Sequence, residues 1–341
     1  MRLSGLPIRT ACLLAFTAGM LLTVGCSGNG GNKFITLGTA PIGGAFAPVG
    51  NAIASVLNEH SGDNNWKVQA KGTKGSQQNI RDLQSGEMQL GMSNSAISYY
   101  AYRGESGWNE KYNIRAVATL APNIAMFITK KETGINSVAD LKGKRVSVGP
   151  AGAGFEMFVG PLMTEHGVSY TEDTKDFSPV SQIQSDAVSS LGDGDVDAAF
   201  LGGAVPTSSI TQACSQMDVV FIPYDPAVKS TLVEKYPFFQ EATIAKDKYA
   251  DLTDDYQGLN VGSMHLITHA DIDEETVYQL TKAIWENREE IGKQHPAGKA
   301  INEQNAARYT GTPFHKGAIR FYKEIGIWPE DAPEAASVDG N

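Results

Sequence analysis

One unit recurs along this 341-residue chain and constrains its fold more than any other feature: a short β-rich run, a turn of glycine and serine, then an amphipathic helix. The first copy is FITLG at 34–38, followed by a loop and a helix with Ala52, Ile53, Val56 and Leu57 at helical spacing and Pro48 in its first turn. The second is WKVQA at 66–70, the loop KGTKGS, and a helix with Ile80 and Leu83 on one face. MQLGM at 88–92, the loop SNS and AISYYAYRG make the third. RAVATLAPNIAMFITKK then reads as one or two long strands, before a fourth unit of RVSVG at 145–149, PAGAGF and FEMFVGPLMTEHG. The fifth joins DAAFLGG at 197–203 to VPTSSITQAC. Strands alternating with helices of this length predict an α/β fold of mostly parallel sheet wrapped on both faces, with ligands held where strands end and helices begin.

The extreme N-terminus stands outside that pattern. Arg2 and Arg9 precede an apolar run from Ala11 to Val24 that contains no acid and ends in small residues, which predicts a secretory signal. The run is too short and wrongly flanked for a membrane-spanning helix. TVGC, ending at Cys26, resembles the bacterial lipoprotein signal, with Thr23 where a leucine-like residue is usual. Lipidation of Cys26 would hold the protein at a membrane surface. Cys12 leaves with the signal, so Cys214 remains alone and no disulfide framework forms. Loss of Arg2 and Arg9 takes the 28 basic residues to 26 against 38 acidic ones, a net charge of −12. A chain so acidic, without a basic cluster, argues against nucleic acid as a partner.

Each strand-to-helix loop has the chemistry to hold an anion, because glycine lets the backbone approach closely and the free amides of a helix start point outward. The loops at Gly43, Ser76, Ser93 to Ser95 and Gly152 to Gly154 therefore converge on one expectation, a small carboxylate held by amides and hydroxyls. Taken singly, each loop reads better as a plain turn or cap, and it is the four together that favour the anion. Catalytic patterns are thin. There is no G-x-x-x-x-G-K-[ST], GAGFEM lacks the third glycine of a dinucleotide fingerprint, and GMSNS is not a G-x-S-x-G elbow. His265 and His269 have zinc-like spacing for a helix, but VGSMHLITH reads as a strand, which sets residues four apart about 13 Å from each other. DGDVD at 193–197 lacks the length and closing glutamate of a calcium loop. None of His60, His166, His265, His269, His295 or His315 falls in the candidate loops, so no enzyme, cofactor or metal site is expected.

The order of motifs resembles the TAXI family, the substrate-binding subunits of one class of tripartite ATP-independent periplasmic (TRAP) transporters. The residues that carry the resemblance are ITLGTAPIGGAFAPVGNAIA, AKGTKGSQQNIRDLQSGEMQLGMSNSA, NIRAVATL, INSVADLKGKRVSVGPAGAG, DAAFLGGAVP, EKYPFF, EETVYQLTKAIWENREEI and KQHPAGKAI, in the family's order from about Ile35 to Trp328. The resemblance implies a two-lobed, periplasmic-binding-protein-like (Venus-flytrap) fold with two hinge crossovers, near 118–127 and 258–267. It divides the chain into a signal peptide at 1–25, a tether at 26–32, lobe one at 33–125 plus 262–330, lobe two at 126–261, and a tail at 331–341. Glu274 to about Gly292 reads as a single packing helix with Val277, Leu280, Ala283, Ile284 and Ile291 on one face.

Carried over residue by residue, the family's cleft falls on Gly43, Gly44, Ala45 and Phe46; on Thr73, Lys74, Gly75, Ser76 and Asn79; on Ser93, Asn94 and Ser95; on Ala151, Gly152, Ala153, Gly154 and Phe155; and on Gly202 and Gly203. Relatives that bind dicarboxylic amino acids tend to carry tyrosines after the glycine pair, Ser-Asp in the third loop and Gly-Ser-Gly-Thr in the second lobe. Here those places read Ala45-Phe46-Ala47, Ser95-Ala96 and Gly152-Ala153-Gly154-Phe155. The missing carboxylate at Ala96 disfavours a glutamate-like ligand, and Phe46, Phe155 and Met92 would line a cleft suited to an organic acid with a hydrophobic portion. Lys74 is the one cation in these loops. The implied partners are a small anionic or zwitterionic ligand and a TRAP-type permease, for a monomeric, exported receptor. A sensory or adaptor protein of the same fold is the alternative.

Overall fold

The computed structural model describes residues 33–40, 45–171 and 173–333. Cys26, the signal sequence, and Gly43 with Gly44 lie outside the described residues.

Lobe one is built on β1 (Lys33–Gly38), α1 (Phe46–Glu59), β2 (Trp66–Lys71), α2 (Ser76–Gln84), β3 (Leu90–Asn94), α3 (Ser95–Arg103) and β4 (Ile114–Thr119). Val49, Ala52, Ile53, Val56 and Leu57 form the buried stripe of α1, the three-and-four spacing that lays one helix face on a sheet. The chain then crosses to a second sheet through β5 (Ile124–Lys130), β6 (Arg145–Ser147), α4 (Glu156–Glu165), β7 (Ser178–Val180), α5 (Gln184–Asp193), β8 (Ala198–Gly203), α6 (Ser208–Gln216), β9 (Val219–Ile222), α7 (Pro226–Lys235), β10 (Phe239–Ile244) and β11 (Tyr256–Val261). It returns to the first sheet with β12 (Met264–His269) and finishes in α8 (Glu274–Glu286), α9 (Arg288–Gln294) and α10 (Lys316–Glu324). Among the described residues no helix is long and apolar enough to cross a membrane.

Strand order is β2-β1-β3-β12-β4 in the first sheet and β10-β11-β5-β8-β6-β7 in the second. One edge of β5 is shared, with β11 beside Ile124 and Ala125 and β9 beside Phe127 to Lys130. Both sheets are mixed rather than mostly parallel. The β-turn-α units do pair in parallel, β1 with β2 and β3, and β6 with β7 and β8. The strands that cross between sheets run the other way: β12 is antiparallel to β3 and β4, and β5 is antiparallel to β8 and β11. A repeat of local units says nothing about the direction in which a crossover strand enters its sheet, so these strands were legible in the sequence but their antiparallel pairing was not.

The expected single helix at 274–292 is two helices broken at Asn287. Its φ of −111° and ψ of 20° leave the helical region, and its side chain takes the carbonyl of Ala283 at 2.8 Å. An asparagine amide competes with the helix ladder in this way.

Candidate functional site

At the C-terminal ends of β1, β2 and β3 the loops are tied together by short polar side chains. Thr39 is buried, and its carbonyl accepts from Thr73 Oγ1 at 2.9 Å and Asn79 Nδ2 at 2.7 Å. Asn79 Nδ2 also donates to the Met92 carbonyl at 2.8 Å, and the Thr73 hydroxyl accepts the Gly75 amide at 3.1 Å. Ser76 Oγ accepts the Asn94 amide at 3.0 Å, which joins the second loop to the third. The third loop has no length of its own. Ser93 and Asn94 end β3, Asn94 caps α3 by accepting from the Ala96 amide at 2.8 Å, and Ser95 is the first helical residue. Ser93 accepts a hydrogen bond from Ser98 at 2.9 Å and is wholly buried.

This polar floor continues into both crossovers. Asn94 Nδ2 donates to the Gly262 carbonyl at 2.9 Å, and the Ser95 amide donates to the Ser263 carbonyl at 2.8 Å. Asn260 Nδ2 donates to Ser263 Oγ at 2.8 Å while its Oδ1 accepts from the Asn123 amide at 3.0 Å, linking the returning crossover to the outgoing one. From the C-terminal segment, Asn305 Nδ2 donates to the Leu120 carbonyl at 2.6 Å and Arg308 Nη2 to Ser263 Oγ at 2.6 Å. Asn260, Ser263, Asn305 and Arg308 went unnoticed in the sequence because they sit in strand ends and a C-terminal stretch without the glycine-turn signature; only the tertiary fold carries them to the junction.

Loops of the second sheet pack against the helices beside this floor. At a φ of +87°, Gly154 packs so closely that a Cβ there would lie 2.9 Å from Ile97 Cδ1 and 3.2 Å from Gln77 Cγ, both in lobe one. Gln77 Nε2 reaches Glu156 Oε1 at 3.3 Å across the same boundary. Phe155 folds back over Gly149, whose missing Cβ leaves the space for the ring, and meets Phe158 at 5.1 Å between centroids. Beyond the loops, Phe238 of lobe two packs edge-on against Tyr99 and Tyr100 of α3, at 5.3 and 5.6 Å. Gly202 is held on both backbone groups by the Gln184 side chain, and Ala204 just after it packs against the core of lobe one.

The sequence-derived set is thus only partly gathered. Thr73, Gly75, Ser76, Asn79, Ser93, Asn94, Ser95, Ala153, Gly154 and Phe155 come together around the junction. Ala151, Gly152 and Lys74 are exposed, and the Lys74 backbone amide is turned to Gln78. Met92 does not line a cleft: it is fully buried in the core of lobe one, beneath α1. Ala45 and Phe46 pack half-buried against that same core.

Three polar atoms of the floor are sealed from solvent with no partner among the described residues: Asn79 Oδ1, Ser95 Oγ and Arg308 Nη1. His265, wholly buried in β12, has its pKa driven down to about 3 by burial and then by the Arg308 charge, so the ring is neutral at physiological pH. Its Nε2 lies 2.5 Å from Thr310 Oγ1. Among the described residues one potential metal-ligand trio occurs, Glu59, His60 and Glu290, at the surface where α1 meets α9 and away from the junction. The arrangement as a whole offers hydrogen-bond donors, one half-buried cation and apolar rings, groups that can hold a small molecule.

A family model described as the NMT1-like family matches residues 37–326. Among solved structures, XAC2383 from Xanthomonas citri bound to ATP is 11% identical with a TM-score of 0.51, over 86% of this chain and 95% of that chain. The alkanesulfonate-binding protein SsuA from Xanthomonas axonopodis pv. citri bound to MOPS is 12% identical with a TM-score of 0.45, over 89% and 97%. A binding protein component of an ABC phosphonate transporter from Pseudomonas aeruginosa is 11% identical with a TM-score of 0.49, over 76% and 77%. The architecture, two helix-flanked mixed sheets joined by paired crossovers, is the periplasmic-binding-protein-like fold.

Proposed function

The chain belongs to the NMT1-like family, and from that premise we propose that it is an extracytoplasmic solute receptor that closes two lobes on a small organic acid and delivers it to a TRAP-type secondary permease. The observation that carries this reading is the continuous floor of Ser76, Asn94, Ser95, Asn260 and Ser263, which runs from the helix starts of lobe one into both crossovers. A ligand seated there bonds to the groups that move when the lobes part, so its binding energy favours closure. The lobes are 33–125 with 262–330, and 126–261. Binding is the whole of the protein's chemistry, with the permease drawing on an ion gradient. The order of motifs along the chain favours the TAXI subtype. Phe155 beside the junction favours a ligand with an apolar portion. Cys26 is acylated after signal cleavage and tethers the receptor to the membrane.

Thermal-shift screening of the purified protein against a metabolite library tests the receptor reading. A true ligand at 100 times its Kd adds about 2.7 kcal/mol to the folded state. Failure of every sugar, amino acid, cation and carboxylate to raise the melting temperature would overturn it. Uptake by proteoliposomes holding a TRAP-type permease is expected, with this receptor added, to follow an imposed ion gradient without ATP; an ATP requirement would exclude the TRAP assignment. Metabolic labelling with palmitate is expected to mark the protein and to fail in Cys26→Ser.

A further inference from the structure

Arg308 is a half-buried cation without an ion-paired carboxylate among the described residues. Its Nε donates to Asn305 Oδ1 at 3.0 Å, its Nη2 donates to Ser263 Oγ at 2.6 Å, and Nη1 meets no acceptor among the described residues. Glu303 and Asp331 share the lining of a cavity of about 270 Å³ with Arg308. Neither forms an ion pair with it, and no carboxylate moves its pKa; burial alone lowers that to about 10. The guanidinium therefore keeps its full charge at neutral pH, in surroundings where an unpaired charge is costly. The histidine next to it, His265, is neutral and supplies no compensation.

Ser263 connects this charge to the candidate site. Its hydroxyl takes Arg308 Nη2, and its carbonyl takes the Ser95 amide at 2.8 Å. Ser95 Oγ is likewise sealed without a partner among the described residues. Two donors and one unbalanced positive charge thus flank a single crossover residue. Three positions beyond Arg308, Gly311 lies against Pro237 of lobe two, so this segment belongs to the surface that lobe closure covers.

We infer that Arg308, with the Ser95 hydroxyl across Ser263 from it, is the subsite that receives the carboxylate of the ligand at the hinge end of the interlobe cleft. Resting on the receptor reading above, this assigns the recognition charge to the C-terminal segment of lobe one and not to Lys74, which is exposed. Opening of the lobes uncovers Nη1, a carboxylate takes it in a charge-assisted hydrogen bond, and closure seals the pair. The ligand class is a carboxylic acid, with neutral isosteres rejected because they leave the guanidinium unpaired.

Titration calorimetry with phenylacetate, 4-methylpentanoate, succinate and glutamate, each beside its amide, tests the assignment. The wild-type protein is expected to bind at least one acid about 100-fold more tightly than the amide. Arg308→Gln is expected to lose that preference, with Arg308→Lys recovering about tenfold of it and the ligand-free melting temperature of Arg308→Gln unchanged or raised. If Arg308→Gln keeps the acid-to-amide ratio and melts lower, the residue only staples the hinge and the inference fails. If the library screen yields only uncharged ligands, the receptor reading survives and this inference falls. If the screen yields none, the receptor reading falls first.

Discussion

Asn94 does two jobs with one amide. Its Oδ1 accepts the Ala96 amide and caps α3, and its Nδ2 donates to the Gly262 carbonyl on the returning crossover. Asn94→Ala removes both and leaves buried backbone groups unpaired, so a loss of about 2–4 kcal/mol in urea unfolding is expected. Asn94→Asp keeps the acceptor for the cap but loses the donor, and is expected to cost less than alanine. An equal cost for the two would show that the cap contributes nothing. The hydroxyl and amide residues of the first three loops were legible in the sequence because glycine-rich turns between a strand and a helix advertise them. Arg308 was not legible, because neither burial nor the absence of an anion is written in a residue's neighbours along the chain.

α3 is one of the elements through which lobe one meets lobe two. Its N-terminal turn carries Ile97 beneath Gly154, and its outer face sets Tyr99 and Tyr100 against Phe238. Gly154→Val puts a branched side chain where a Cβ already lies 2.9 Å from Ile97, on a backbone with φ of +87°. Weakened closure is the expected outcome, seen as at least about tenfold weaker ligand binding by calorimetry. Unchanged affinity would mean that this contact does not gate the cleft. Phe238 is fully buried, and Phe238→Ala is expected to lower stability by about 3–5 kcal/mol in denaturant unfolding. α3 itself, with its apolar and aromatic run, was readable as a helix. Which of its faces would meet another lobe was not, since the partner residue lies more than a hundred positions away.

Across the whole molecule, buried histidines tie stability to pH. His265 has a folded-state pKa of about 3, and burial also lowers the pKa of His166 and His315. Their unfolded values stand near 6.5, so the unfolded chain binds more protons as pH falls below that value. Stability is therefore complete above about pH 7 and declines below 6.5. His265 alone contributes a slope of about 1.4 kcal/mol per pH unit down toward pH 3. Urea midpoints at pH 8, 6 and 5 measure this, and His265→Gln is expected to flatten the decline. A wild-type midpoint independent of pH over that range would contradict the burial of a neutral ring.

The sequence by itself determined the alternation of strand and helix, the polar loops at the strand ends and the family-like order of motifs. Each of these follows from local periodicity and turn chemistry that neighbouring residues settle among themselves. Only the tertiary structure decided that the sheets are mixed, that Met92 belongs to the core, and that Lys74 faces solvent while Arg308 is half-buried against Ser263. Those outcomes depend on strands crossing twice between lobes. A crossover brings together residues such as Thr119, Ser263 and Arg308, whose separation in sequence leaves no periodic trace.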